Sequence, residues 1–148
     1  MPGTSLQSTL FRLMYVSSGV RLFSDKELGE LLAVARRNNA QLGISGMLLY
    51  LDGNFLQVLE GNESDVRRLL ATIDKDVRHR GLIVLISQSI ETRAFPDWSM
   101  GFFRPESAPD NERLFHLTRE SLHARVPADA PQQIMILMEA FCRVNSGL

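Results

Sequence analysis

The stretch ISGMLLYLDGNFLQVLEG, residues 44–61, constrains the fold of this chain most. Two apolar runs flank Asp52-Gly53, and an Asp-Gly pair between such runs is a strong local signal for a β-hairpin. Strand side chains repeat with a period of two, so Phe55, Gln57 and Leu59 share one face. If that face meets a core, the hairpin carries an amide into it. A buried amide must find a hydrogen-bond partner or costs about 1–3 kcal/mol.

The segments around the hairpin set the architecture. LFRLMYVSS, residues 10–18, reads as a strand apolar on both faces, with Phe11, Leu13 and Tyr15 on one and Arg12 among the apolar residues of the other. SDKELGELLAVARRNN, 24–39, reads as a helix. Ser24 and Glu27 form a capping-box pattern, and Leu28, Leu31, Leu32 and Ala35 form its apolar stripe. That stripe runs on into Asn38 and Asn39. A second helix covers 62–76 with Asn62 as N-cap, a strand lies within 81–95, and a short strand within 96–105 is bounded by prolines. Two tail helices, 112–124 and 132–144, are separated by Pro127 and Pro131, and IMILMEAFC in the second is apolar on nearly all sides. The order predicts an α+β fold: a ferredoxin-like five-stranded sheet (βαββαββ), two helices on one face and two C-terminal helices covering the other.

Length and charge narrow the function classes. The 148 residues suit one domain, and 45% hydrophobic content fills a core. A formal net charge of −1 offers no general attraction to nucleic acid or acidic membranes. One cysteine rules out an internal disulfide. With no leader pattern and no run of membrane-spanning length, a soluble cytoplasmic protein is expected.

Four polar side chains now stand where hydrophobes are expected: Tyr15, Asn38, Asn39 and Gln57. Each alone has a local explanation, such as a satisfied core hydroxyl or a helix C-cap. Together they would present a donor–acceptor edge to a planar, largely apolar ligand held between two helices, with Leu31 and Ile73 on its faces.

At this point the chain resembles the BLUF family, blue-light sensors that use flavin. The resemblance rests on LFRLMYVSS, ARRNNAQLGISGMLLY, GNFLQVLEG and FPDWSMGF, in that order over residues 9–104. It implies FAD as cofactor, with FMN as the other flavin the site would take. It implies that Tyr15 is the electron and proton donor, that Gln57 lies between Tyr15 and the flavin, and that Asn39 and Asn38 bond the flavin edge. Leu31 and Ile73 would sandwich the ring, and Asp76, Arg78 and His79 would lie near its other rim and side chain. Trp98 and Met100 would belong to the strand that changes on signalling. Ala35 stands where some members carry serine. Thr72 stands where some carry a basic residue, leaving Arg36, Arg37 or Arg78 to meet a phosphate, or a solvated helix face.

The resemblance also implies the mechanism: light drives an electron and a proton from Tyr15, and Gln57 ends rotated or tautomerised with the absorption shifted to the red. Residues 1–8 would be an extension, 9–104 the sensor, and 105–148 a helical cap or oligomerisation segment. With no output domain expected, the signal would leave through a partner protein or changed self-assembly, in a homo-oligomer. The competing readings are a small ferredoxin-like enzyme, a ligand-binding module without photochemistry, and an RNA-binding sheet. No nucleophile triad or metal-spaced cluster supports an enzyme; His116 and His123 read as surface or packing residues on one helix. The neutral charge opposes RNA.

Overall fold

Strand β1 (Leu10–Gly19) is apolar on both faces because it runs through the middle of the sheet. The computed structural model describes residues 10–102 and 114–146. After β1 the order is α1 (Asp25–Leu42), β2 (Ser45–Leu51), β3 (Asn54–Asn62), α2 (Glu63–Asp74), β4 (His79–Ser89), β5 (Trp98–Phe102), β6 (Leu114–His116), α3 (Arg119–Arg125) and α4 (Gln132–Ser146). The sheet order is β4-β1-β3-β2-β5-β6. The β4-β1-β3-β2 part is antiparallel; β5 joins β2 and β6 joins β5 in parallel.

The helices begin and end where their caps dictate. Ser24 and Glu27 close the capping box of α1, and Gly43, at φ 69°, ends it in the left-handed conformation. Asn62 accepts from the backbone of Ser64 at the start of α2. In the hairpin, Asp52 (φ 51°) and Gly53 (φ 82°) both take the left-handed backbone that a two-residue turn of this hand requires. Gly46 is needed for a different reason: a Cβ there would stand 1.9 Å from the Val58 carbonyl oxygen.

Two cores flank the sheet. Phe11, Leu13, Tyr15, Leu48, Tyr50, Phe55 and Leu59 pack with Leu28 and Leu32 of α1 and Val66 of α2. Met14, Met47, Leu49, Leu56, Val58 and Ile86 pack on the opposite face with Leu122 of α3 and Ile134, Met138 and Phe141 of α4. The pairing of faces follows from the period-two alternation of β1, β2 and β3.

Two expectations are corrected. The sheet has six strands among the described residues, not five, because Leu114–His116 pairs with β5. The expected helix over 112–124 is therefore a strand followed by the short α3, and His116 and His123 do not share a helix. Helix α4 buries Ile134, Met138 and Phe141 and leaves Ile136 exposed in the single chain. Residues 1–8 lie outside the described residues, as does part of 105–148.

A cavity between the two helices and the central strands

Tyr15 and Gln57 are direct partners across the β1–β3 ladder, and both face the α1/α2 side. Both are buried. The Tyr15 hydroxyl donates to Gln57 Oε1. Burial first, and then the negative charge of Asp76, pushes the Tyr15 pKa well above its ordinary value of 10. The phenol therefore stays protonated at any pH where the protein is folded and near neutral.

The sign of that shift gives a test. A raised pKa means that the stability it contributes is complete below pH 10 and is lost only as pH climbs through the higher folded value. There are two tyrosines, so a Tyr50→Phe variant isolates Tyr15. Its phenolate absorbance is expected to stay flat past pH 10 and to rise only with alkaline unfolding. A reversible titration near 10 in folded protein would show that the pocket is wet.

Above this pair lies a cavity of about 190 Å³. Leu31, Ala35, Asn38 and Asn39 of α1 line one side, and Leu69, Thr72 and Ile73 of α2 the other. Tyr15, Leu48 and Gln57 form the floor, and Asp76, Arg78 and His79 the far rim. Nine of the expected site residues thus come together there: Tyr15, Leu31, Asn38, Asn39, Gln57, Ile73, Asp76, Arg78 and His79. Ser17, Phe23 and Val34 also line it and were not singled out from sequence. Period two places Ser17 on the Tyr15 face, which was the available signal.

The polar groups of the cavity are held but not consumed. Asn39 is 2% exposed, yet its side-chain amide makes no hydrogen bond among the described residues. Capping does not explain it, because Gly43 caps α1 with its own backbone. His79 Nε2 meets the Ile73 carbonyl, which only accepts, so Nε2 carries the proton. In the neutral ring His79 Nδ1 is then an acceptor, and it is buried without a hydrogen-bond partner among the described residues. Asp76 accepts from the Arg78 backbone at 2.9 Å and from its guanidinium, which holds the Asp76 carboxyl down at about 2. Apolar walls, an amide edge and unused buried donors and acceptors fit a flat heteroaromatic ligand with a polar tail.

Trp98 does not line this cavity. It is 7% exposed and faces a second cavity beside the end of α1, together with Arg36 and Arg37. Of the three arginines expected near a phosphate, only Arg78 reaches the first cavity. Met100 lies on β5 opposite Leu48, and its side chain is outside the described residues.

Sequence reasoning passed over a charged cluster on the other face of the sheet. Arg12 Nε donates to Glu60 Oε2 at 2.7 Å, and Glu60 is fully buried. The same carboxylate accepts from the backbone N–H groups of Ala94, at 3.1 Å, and Phe95, at 2.7 Å. Arg12 on an apolar face was the available signal that an acid had to lie opposite it.

The fold and site define a class: a small α+β domain with an apolar-walled cavity between two helices, over a tyrosine–glutamine pair. The chain belongs to the BLUF family, sensors of blue-light using FAD, whose model matches residues 10–101. It is 38% identical over 94 residues to the photoactivated adenylate cyclase subunit beta of Euglena longa, covering 63% of this chain and 11% of that one. The chain thus spans about a tenth of the length of that relative. Among solved structures it resembles BlrB, a BLUF protein in its dark state, with 27% identity, a TM-score of 0.64 and 95% of this chain and 98% of that chain covered. It also resembles BlsA in its photo-activated state, with 30% identity, a TM-score of 0.62 and 86% and 90% covered.

Proposed function

We propose that this BLUF chain binds flavin non-covalently in the cavity over Tyr15 and Gln57 and signals by rearranging that hydrogen-bonded pair. The observation that carries the proposal is the buried Tyr15–Gln57 pair on the cavity floor, beneath an Asn39 amide with no hydrogen-bond partner among the described residues. Leu31 and Ile73 would flank the ring, Asn39 and Asn38 its polar edge. Asp76, Arg78 and His79 would meet its side chain, His79 Nδ1 accepting from a hydroxyl. When bound, the flavin supplies blue-light absorption and an electron acceptor.

What the chain contributes is a reversible polarity. Tyr15 holds its proton against Gln57 Oε1. An amide has an acceptor end and a donor end, so reversing or tautomerising Gln57 exchanges the hydrogen-bond sense at both of its neighbours. No backbone movement is needed. The surrounding aliphatic walls keep water from offering the phenol another acceptor.

The β4-β1-β3-β2 order with α1 and α2 on one face supports reading the core as ferredoxin-like. We take residues 9–104 as the sensor and 105–148 as a cap that passes the signal on to a partner protein or to self-assembly as a homo-oligomer. Exposed Ile136 and Val144 on α4 favour contact with a further surface. Among the described residues no helix is long and apolar enough to cross a membrane, in keeping with a cytoplasmic sensor. Its role is sensory, with no chemistry of its own.

The test is direct. Purified protein is expected to be yellow, to shift its flavin absorption to the red under blue light, and to recover in the dark. Cofactor released by heat then decides between FAD and FMN by chromatography. Protein that cannot be loaded with either flavin, or that is yellow but inert to light, would overturn the proposal in favour of a light-independent binding module or enzyme.

A further inference from the structure

The second cavity, about 680 Å³, lies between the C-terminal turns of α1 and the segment leading into β5. Arg36, Arg37 and Arg93 line it against a single carboxylate, Asp97. Arg36 and Arg37 make no hydrogen bond or ion pair among the described residues. Arg36 Nε is nonetheless buried without a partner. Arg93 is fixed by neutral oxygens alone: Ser45 Oγ at 2.6 Å, the Glu60 carbonyl at 3.0 Å and the Gly43 carbonyl at 2.7 Å. Its position is set, and it makes no ion pair among the described residues. Trp98 lines the same cavity, and its buried indole Nε1 has no acceptor among the described residues.

A buried N–H without an acceptor is uncommon in native proteins, and two around one cavity call for an acceptor from outside. Guanidinium groups recognise carboxylate and phosphate oxygens through paired, charge-assisted hydrogen bonds. We propose that this cavity is an oxyanion site, in which Arg36, Arg37, Arg93 and the Trp98 indole N–H receive a multiply charged carboxylate or phosphate ligand. The site is distinct from the flavin cavity: the two have no lining residue in common, and α1 and β2 each contribute different residues to them. It stands independently of the photochemical reading.

Trp98 is the only tryptophan, so its indole N–H resonance reports on the site alone. Flavin-loaded, isotope-labelled protein in the dark is titrated with citrate, with inorganic phosphate and with a glutamate-rich peptide, against sodium chloride at matched ionic strength. A saturable shift of the indole signal with at least one oxyanion, absent with chloride, is expected. Tighter binding of the peptide than of citrate or phosphate assigns the ligand to a partner's acidic side chains; the reverse assigns it to a free anion. Because Arg36 and Arg37 hold no hydrogen-bond or ion-pair partner among the described residues, the Arg36→Gln, Arg37→Gln double variant is expected to keep its thermal unfolding curve. It should weaken binding by about tenfold or more, the scale of losing one charge-assisted hydrogen bond. No saturable shift with any oxyanion, or binding unchanged in the double variant, would overturn the proposal.

Discussion

Replacing Gln57 by leucine is expected to leave a protein that holds flavin and no longer shifts its absorption under blue light. Leucine matches the apolar surroundings of this buried position, so the hairpin and the cavity floor survive. What disappears is the acceptor for the Tyr15 hydroxyl, and no other partner for that hydroxyl exists among the described residues. An orphaned buried donor costs about 1–3 kcal/mol, which urea unfolding will detect as a lower midpoint at unchanged slope. The functional effect is larger, because the red-shifted state itself is lost. Tyr15→Phe removes the donor instead of the acceptor and should be equally inert to productive switching. Absorption spectra before and after illumination check both. A normal red shift in Gln57→Leu would remove the amide from the mechanism and leave the cavity as a binding site only.

The parts of this molecule that were legible in sequence are those whose cause is local. Asp52-Gly53 makes its turn with its own backbone angles, and Ser24 with Glu27 caps α1 within four consecutive residues. Tyr15 and Gln57 were legible for a related reason: alternation along one strand exposes a polar residue on an apolar face without knowledge of the neighbour. Their pairing came only through the family resemblance, since register between β1 and β3 is a long-range fact that alternation along one strand does not give. Strand β6 was missed because ERLFHL suits a helix as well as a strand, and only the open edge of β5 decides between them. Trp98 could be placed on a strand, but its cavity neighbours Arg36 and Arg37 come from α1, far earlier in the sequence. The Glu60 cluster was hidden by the same alternation that revealed Gln57. A glutamate near a strand end reads as solvated, and its burial depends on Arg12, 48 residues earlier.

That cluster carries the largest expected stability effect in the chain. Glu60→Leu is expected to cost about 3–5 kcal/mol, because it leaves the Arg12 guanidinium buried at 3% exposure without its counter-charge. Two backbone donors are stranded with it, Ala94 and Phe95, which the carboxylate now holds. Adding Arg12→Met should recover part of the loss, since the uncompensated charge is gone, but not all of it, since the two N–H groups still lack an acceptor. Those groups sit just ahead of Trp98, so the carboxylate also pins the approach to β5 onto β3, the strand that bears Gln57. Chemical unfolding of the single and double variants separates the two contributions. Full recovery in the double variant would mean that the backbone bonds hold nothing, and that the segment before β5 is positioned by Arg93 and packing alone.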